Sequence, residues 1–392
     1  MTEWIRMADE LGPERILHVY DPSVGMKGVV VVDTTSPQGG SGGGTRMLPD
    51  ITTEEISWLA RTMTYKLAYL DIPVGGAKAG IWADPGIQGA SREAILRAFG
   101  NAVKPLLTTG LGLGADMGTN AKDVAIIYEG AGVPQTSTGL AQQEKEGEPL
   151  EDHATGYGVV VAAQAACGFA GMELKGATVA IEGFGKVGGG VARYMAEAGA
   201  KVVAISTISG AIYNQRGLDT KKLLSVRKQS GDKAVEEYVG AQRIDKEAIY
   251  FLPVDVLIPG ARPHVIDKNN AGRIQAKVIS SIANIPLTDE AEEILFQRGI
   301  CSVPDFVSNA GGVVLGVVDA VGGKADDVFG VLREVLGPLT HNILADAYKE
   351  GCNPRSLAVK RAKEKVLRAR IEGEAALPIE RMLELVKERL KM

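Results

Sequence analysis

The sequence predicts an α/β protein of two domains, the first built on a mixed sheet and the second doubly wound, with C-terminal helices that return to the first. Three observations carry this. With 392 residues, 45% of them hydrophobic and 23% charged, the chain is long enough for two sizeable cores. Its 49 glycines and only 5% aromatic residues suit parallel α/β architecture, with many tight strand-to-helix turns. Its second half contains one strand–glycine turn–helix–strand unit, residues 177–205, with Gly183-Phe184-Gly185-Lys186-Val187-Gly188 between the first strand and the helix. Such a GxGxxG, ending a strand and opening a helix, is the Rossmann-type dinucleotide fingerprint.

Taken in order, residues 1–14 read as a short helix, and residues 16–20 and 27–33 as strands, the second a buried β-branched run. Residues 36–44 read as a glycine-rich loop. Asp50 and Thr52-Thr53-Glu54-Glu55 offer capping chemistry for a helix on which Ile56, Leu59, Met63 and Leu67 recur at helical spacing and which carries Lys66. Twelve residues on, Lys78 stands in Pro73-Val74-Gly75-Gly76-Ala77-Lys78-Ala79-Gly80. A lysine among glycines and apolar residues loses solvation, its charged form is disfavoured, and it moves toward the range of a general base. Lys66 is placed to meet a carboxylate. A single helix lysine is commonly just solvated and a Gly-Gly pair just a turn; the two lysines side by side point instead to a substrate pocket. A capped helix follows over residues 91–102. The glycine-broken segment 110–120 then carries Asp116, an acid in a small-residue turn, where aspartate is often only a local hydrogen-bond acceptor. The polar, acidic stretch 142–152 reads as the domain boundary.

The second domain opens with Ala154-Thr155-Gly156-Tyr157-Gly158 and an Ala/Val-rich helix to about residue 170. In the fingerprint, Gly183 permits the tight turn, Gly185 lets backbone amides approach a pyrophosphate, and Gly188 lets the helix pack on the sheet, with the phosphate at the helix N-terminus. The acid expected at the end of the second strand is absent: Ser206, Thr207, Ile208 and Ser209 stand there. With no carboxylate at Thr207 to repel a 2′-phosphate, NADP is permitted beside NAD, and the hydroxyls of Ser206, Thr207 and Ser209 are candidate ligands. Residues 254–261 and 278–281 read as further parallel strands, with Asn284 and Asn309 in loops at their ends, where ligands sit in such sheets. Helices follow from residue 326, including 354–372 and 378–391. The expected domains are therefore 1–150, 151–330 and 331–392.

Composition narrows the partners. A net charge of −5 argues against nucleic acid or an anionic membrane. The best apolar run, residues 311–318, is cut by Asp319, and the N-terminus lacks a signal-peptide core, so a cytoplasmic protein is expected. Three cysteines without CxxC spacing and four scattered histidines predict neither a disulfide framework nor a metal site.

The chain resembles the glutamate/leucine/phenylalanine/valine dehydrogenase family along nearly its whole length. The matching pieces, in the family's order, are Gly43-Gly44-Thr45-Arg46-Met47, Met63-Thr64-Tyr65-Lys66, residues 73–80, Ala115-Asp116-Met117-Gly118-Thr119, residues 154–158, residues 183–188, Gly210-Ala211-Ile212-Tyr213-Asn214 with Gly217-Leu218-Asp219, and residues 309–313. The resemblance implies oxidative deamination of an L-amino acid to a 2-oxo acid and ammonia, coupled to NAD(P) reduction, in a homo-oligomer, a hexamer first. It implies that Lys66 holds the α-carboxylate, that Lys78 is the activated amine, and that Asp116 passes protons to and from the amino group. It also places Thr155, Asn309 and Asn284 near the nicotinamide, with Gly42, Gly43, Gly114, Val313 and Gly316 around the substrate. Closure between the domains is expected to exclude water before transfer.

The departures concern substrate and cofactor. Before the Gly-Gly pair, glutamate-specific members carry Lys and leucine-type members an apolar residue; here the position is Gly42. Gly316 stands where glutamate enzymes usually have Ser. Losing both a charge and a hydroxyl leaves a buried substrate carboxylate without an evident partner, a costly state, so strict glutamate specificity is not expected. Lys186 replaces the usual Asn of GFGNVG, and Glu151-Asp152-His153 replaces the usual Arg/Glu context. Two alternatives stand beside the leading reading. One is a dehydrogenase of another small acid, which Lys66, Lys78 and Asp116 suit less well than amine chemistry. The other is a non-catalytic nucleotide-binding paralogue or partner subunit that regulates an amino-acid dehydrogenase.

Overall fold

The computed structural model describes residues 8–37, 40–135, 139–145 and 147–372. The chain divides into two compact units, one formed by the chain up to Thr138 with a segment that begins at Val359, the other by Gly139–Ala358. In the first unit, strands β1 (Arg15–Asp21) and β2 (Met26–Val32) are followed by β3 (Ser41–Met47), helix α1 (Thr53–Tyr69), β4 (Gly75–Ile81), α2 (Gly89–Leu107), β5 (Leu111–Ala115) and α3 (Ala121–Ala131). The sheet runs β1-β2-β4-β3-β5. Its first two pairings are antiparallel and its last two parallel, the mixed sheet the sequence predicts.

Strand periodicity decides which side chain faces which layer. Ala77, Ala79 and Ile81 of β4, Val30 and Val32 of β2, and Leu111 and Leu113 of β5 share a core with Leu96, Phe99 and Val103 of α2 and Val124 and Ile127 of α3. On the opposite face Val29 and Val31 meet Ile56, Leu59 and Ala60 of α1. Helix α1 starts as the sequence indicates, with Thr52 Oγ1 accepting from Glu55 N at 3.0 Å. It then lies very close to β4. A Cβ on Gly76 would come within 2.2 Å of Thr64 N and 2.6 Å of Ala60 O, and one on Gly80 within 2.7 Å of Ile51 Cδ1. Lys78 stands between these two glycines, on the face that α1 covers. The helix is also tied to the chain's start: Arg61 donates to Asp33 Oδ2 and Asp9 Oδ1, each at 2.8 Å, and Thr64 Oγ1 donates to Asp33 Oδ2 at 2.6 Å.

Three local expectations change in this unit. Residues 8–14 are not helical, and residues 1–7 lie outside the described residues. Asp9 Oδ1 accepts from Leu11 N at 3.0 Å, closing a turn, and Pro13 has no N–H for a helical ladder. The expected loop 36–44 gives way at Ser41 to β3. Its glycines serve close backbone approach between two parallel neighbours: a Cβ on Gly43 would lie 1.7 Å from Ala77 O. Helix α3, not expected from sequence, opens with a capping box in which Asn120 Oδ1 accepts from Asp123 N at 3.2 Å and Asp123 Oδ2 accepts from Asn120 N at 2.8 Å.

In the second unit the short hairpin β6 (Glu144–Lys145) and β7 (Glu148–Pro149) leads into α4 (Leu150–Phe169), β8 (Thr178–Glu182), α5 (Lys186–Glu197), β9 (Lys201–Thr207) and β10 (Gly210–Tyr213). After these come α6 (Thr220–Ser230), α7 (Ala234–Glu237), β11 (Gln242–Ile244), β12 (Val256–Ile258), β13 (Val278–Ile279), α8 (Asp289–Gln297) and β14 (Cys301–Ser302). Helices α9 (Asp305–Ser308), α10 (Gly311–Ala320), α11 (Ala325–Val331) and α12 (Gly337–Glu350) complete the unit, and α13 (Pro354–Glu372) follows. The sheet order is β11-β10-β9-β8-β12-β13-β14. The five strands from β9 to β14 are parallel, and β10 and β11 extend the sheet antiparallel. The chain winds outward from β8 through β9 and returns on the other side at β12, so the topological switch point lies between β8 and β12.

The division between units falls at Thr138/Gly139, ahead of the expected 142–152. That polar stretch forms β6, β7 and the first turn of α4, and is held to the second unit by His153 Nε2 at 2.7 Å from Lys145 O and Arg193 Nη2 donating to Glu148 Oε2 at 3.0 Å. The expected third domain also starts too early. Helix α12 buries Ile343, Leu344 and Ala347 within the second unit. The chain joins the first unit only from Val359, where Lys365 pairs with Asp71 and Arg370 with Glu14, each at 2.7 Å. The expected helix 378–391 lies outside the described residues. Among the described residues no helix is long and apolar enough to cross a membrane, and no group of three or more His, Cys, Asp or Glu could hold a metal ion.

The contact between α1 and β4 makes a direct prediction. Gly76→Ala forces the helix off the strand and is expected to destabilise the protein by about 1–3 kcal/mol or more, read as a lower urea midpoint. An unchanged midpoint would show that α1 does not need this approach.

Candidate active site

The side chains of Lys78 and Asp116 form an ion pair on the α1 side of the first unit's sheet, 6% and 17% exposed. Their meeting needs a missing side chain. Gly44 of β3 lies where a Cβ would be 2.9 Å from Asp116 Cβ and 3.2 Å from Lys78 Nζ. The β3–β4 register is the same on either side of it, at Gly42↔Gly76 and Thr45↔Ala79. Asp116 follows the last residue of β5, in a turn stitched to β3: Thr119 Oγ1 donates to Thr45 O at 2.7 Å and accepts from Asp116 N at 3.0 Å, and Met47 N donates to Met117 O at 3.0 Å. Gly118 sits at φ +81°, and a Cβ there would strike Met47 O at 1.9 Å. The turn that carries the acid is thereby set by backbone contact.

Two further groups, quoted in the sequence motifs but given no role in the site, complete the charge pattern. Arg46, 5% exposed, reaches Asp116 Oδ1 with Nη2 at 3.6 Å and donates from Nη1 to Glu55 Oε1 at 2.5 Å. Glu55, read from sequence as a capping residue, thus also anchors this arginine to the first turn of α1. Lys66 lies in the last turn of the same helix and is 6% exposed.

Burial dominates the electrostatics. It pushes the Lys78 ammonium down; Asp116 opposes this, Arg46 adds to it, and the net direction is down. Burial alone would raise the Asp116 carboxyl, but the Lys78 and Arg46 charges, with hydrogen bonds from Lys78 and Met117 N, hold it well below the usual carboxylate range. The pair titrates as a coupled unit. Asp116 keeps its charge while Lys78 carries a proton, and the proton lost as pH rises leaves Lys78.

Beside the pair lies a bare patch. Gly42 and Gly44 of β3 are in register with Gly112 and Gly114 of β5, and Leu111 and Leu113, alternating with the latter two, point into the opposite core. A Cβ on Gly114 would meet nothing within 4 Å, one on Gly112 only Ser41 O at 3.7 Å, and one on Gly42 Val74 Cγ1 at 3.5 Å. Gly42, Gly112 and Gly114 therefore present open backbone, whereas the space over Gly44 is taken by Ala115 O, Asp116 and Lys78. Gly43 differs, because its missing side chain serves the contact with Ala77.

In the second unit the fingerprint turn takes the form its glycines allow. Gly183 sits at φ +89°, a conformation that favours glycine, and a Cβ on Gly188 would lie 1.9 Å from Gly183 O. At Gly185, the N-cap of α5, a Cβ would meet nothing within 4 Å, so its backbone is open to a ligand. Lys186 is exposed at the start of α5, whereas the Phe184 ring is buried. This is a helix N-terminus with approachable backbone, and it fits a pyrophosphate. Glu182, not singled out from sequence, ties the end of β8 to the loop after β12, accepting from Gly260 N at 2.7 Å and Ala261 N at 2.8 Å. Ser206 Oγ accepts from Gly183 N at 3.3 Å. Thr207 Oγ1 donates to Asp232 O at 2.6 Å and accepts from Ser209 N at 3.1 Å. Both hydroxyls therefore also brace the turn and strand end.

Asn284 and Asn309 are brought into contact: Asn309 Nδ2 donates to Asn284 Oδ1 at 2.9 Å and to Ile282 O at 3.0 Å. Thr155 of α4 is half-buried beside α10, its Oγ1 3.2 Å from where a Cβ on Gly312 would be. Val313 and Gly316 lie one turn apart on α10, half-buried and exposed respectively. Val187 continues α5 from Lys186 and is half-buried.

A doubly wound unit with a dinucleotide turn at its switch point, joined to a unit holding a buried Lys–Asp pair, defines a nicotinamide-dependent oxidoreductase of amine chemistry. The model of the Glutamate/Leucine/Phenylalanine/Valine dehydrogenase family matches residues 147–373, and that of the Glu/Leu/Phe/Val dehydrogenase dimerisation domain matches residues 13–131. The chain belongs to this family and is an NAD(P)-dependent amino-acid dehydrogenase. It is 33% identical over 352 residues to the NADP-specific glutamate dehydrogenase A1 of Halobacterium salinarum, covering 86% of this chain and 84% of that one. Its fold is similar to the hetero-hexameric glutamate dehydrogenase of Thermus thermophilus in a Leu-bound form, with TM-score 0.81, 27% identity and coverage of 92% and 90% of the two chains. It is also similar to L-tryptophan dehydrogenase of Nostoc punctiforme, with TM-score 0.64, 25% identity and coverage of 93% and 99%.

The contact at Gly44 predicts the effect of one added methyl. Gly44→Ala displaces Asp116 from Lys78 and is expected to lower kcat by about 10²-fold, measured in steady-state turnover. Retained kcat would show that the pair tolerates displacement.

Proposed function

We propose that the protein carries out reversible oxidative deamination of an L-amino acid with a large, uncharged side chain, using Lys78 and Asp116 as the catalytic pair and Lys66 to hold the α-carboxylate. The buried Lys78–Asp116 pair carries this reading. Hydride cannot leave Cα while the amino group is an ammonium, so a base must first take its proton. Asp116 is a weak base beside a protonated Lys78. Once Lys78 is neutral, one of the two cations holding the carboxyl down is gone, and Asp116 accepts the substrate proton. A nicotinamide dinucleotide bound to the second unit supplies the acceptor for the hydride. Neutral Lys78 then removes a proton from the water that adds to the imine carbon. Asp116 returns its proton to nitrogen, the C–N bond breaks, and the carbinolamine hydroxyl proton passes to the departing ammonia, releasing ammonium and the 2-oxo acid. The resulting Lys78 ammonium stabilises the charge developing on oxygen.

The first unit is the substrate-binding and oligomerisation part, and the second the dinucleotide-binding part. Gly183, Gly185 and Gly188 with the backbone at Phe184, Lys186 and Val187 receive the pyrophosphate, and Thr155, Asn284 and Asn309 lie toward the nicotinamide. NADP is accepted as well as NAD. Supporting this are the absence of an acid from Ser206 to Ser209, the exposed Lys186, and the NADP specificity of the Halobacterium relative. The glycine patch supports the side-chain assignment. Gly42, Gly43, Gly114, Val313 and Gly316 bring no charge to a substrate carboxylate, whereas bare backbone offers a flat floor to a ring, and the Nostoc relative acts on tryptophan. A cytoplasmic homo-oligomer, first a hexamer, is proposed by likeness to the Thermus enzyme, whose hexamer is a hetero-oligomer.

A panel of L-amino acids with NAD and with NADP, read at the nicotinamide absorbance, tests the reading. Turnover is expected to be highest for large uncharged side chains; no turnover with any amino acid and either cofactor refutes it. Lys78→Ala is expected to lower kcat by about 10²–10⁴-fold, and a regulatory role that survives this change would favour a non-catalytic protein. Gly114→Val is expected to lower kcat/KM at least about tenfold for aromatic substrates relative to small ones, through overlap with the ring; an equal loss for both classes would remove the floor from the specificity argument.

A further inference from the structure

Arg46 is invested in the site from two sides. Nη1 is held by Glu55 at 2.5 Å, which fixes the guanidinium to the first turn of α1, and Nη2 lies 3.6 Å from Asp116 Oδ1. Lys78 pairs with the other carboxylate oxygen, Oδ2. Met117 N also donates to Oδ1, at 2.6 Å, so that oxygen is occupied on both sides. We propose that Arg46, clamped by Glu55, is a positioning residue that holds Asp116 by Oδ1 and so turns Oδ2 toward Lys78. The inference rests on the catalytic pair assigned above and adds a residue that acts through it.

The same arrangement sets the charge around Lys78. The charged groups facing it are Asp116 from the end of β5, Arg46 from β3 and Glu55 from α1. Lys66 lies further along α1, and Arg61 on that helix is committed to Asp9 and Asp33. Burial is the largest influence pushing Lys78 down; Arg46 adds to it, and Glu55 and Asp116 oppose it. Arg46 and Glu55 therefore act on Lys78 with opposite signs.

The test compares Arg46→Gln, Arg46→Lys and Glu55→Gln in the full-length protein. Removing the cation leaves Lys78 protonated to higher pH, so Arg46→Gln is expected to move the rising limb of kcat/KM for amino-acid oxidation up by about 1 pH unit and to lower kcat at least tenfold. Glu55→Gln is expected to move that limb down, and Arg46→Lys to restore its position while recovering only part of kcat. Reductive methylation of Lys78 with formaldehyde and borohydride, followed against pH by mass spectrometry, reads the same displacements without turnover. Opposite shifts support the inference. Shifts of one sign in both variants, or a wild-type profile in Arg46→Gln, overturn it; if Arg46→Gln does not fold, the sign in Glu55→Gln and the position in Arg46→Lys decide. A wild-type protein that turns over no amino acid but shows opposite labelling shifts would refute the proposed function and leave the role of Arg46 standing.

Discussion

Burying an ammonium removes its water, and the molecule meets that cost by placing a carboxylate directly against Lys78. Nothing bulky can stand between them, which is why β3 is glycine at Gly44 and why the turn after β5 is laced to β3 by backbone contacts. The same requirement reaches outward. Helix α1 covers Lys78 because Gly76 lets it lie at backbone distance from β4 and Gly80 leaves room for the side chains of Ile51 and Ile56, and through Glu55 the helix also fixes the arginine that faces Asp116. Glycine here is chosen for the approach of neighbours, and the loss of side-chain packing is part of what the site costs in stability.

The second unit uses the same device for another end. Gly188 and Gly311 each stand where another backbone comes too close for a Cβ, Gly183 takes a positive φ that favours glycine, and Gly185 leaves its own backbone open. Where a phosphate is to be met by amides, a side chain is an obstruction, and the field of the α5 N-terminus replaces the charge a side chain could have brought. Glu182 joins the two strands flanking the switch point by accepting from consecutive amides of the returning loop, so the fingerprint turn is braced from the strand it does not belong to.

Some of this was legible in residue order. The βαβ unit around residues 183–188, the helix carrying Lys66, the buried β-branched strand β2 and the helix over residues 354–372 follow from periodicity and capping, which are local. Lys78 could be named from its glycine-rich, apolar surroundings and the company of Lys66; Asp116, an ordinary turn acid by itself, took its role from the resemblance to the family. The strand β3 was not legible: Ser41-Gly42-Gly43-Gly44 has the composition of a loop, and only pairing with β4 and β5 on either side makes it extended. The N-terminal residues 8–14 misled in the opposite direction, since their helical composition is overruled by the Asp9 turn and Pro13.

Composition, spacing and end-capping act between residues a few positions apart, and so the class of fold, the dinucleotide turn and the types of group available for amine chemistry are legible in residue order alone. Which groups meet is another matter. Arg46, Glu55, Lys78 and Asp116 come from three strands' worth of chain and one helix, and all but Lys78 look ordinary in their own segments. Sheet order and register bring them within reach, and burial then turns proximity into altered protonation, because an electrostatic interaction depends on distance and on excluded water, neither of which is written in sequence separation.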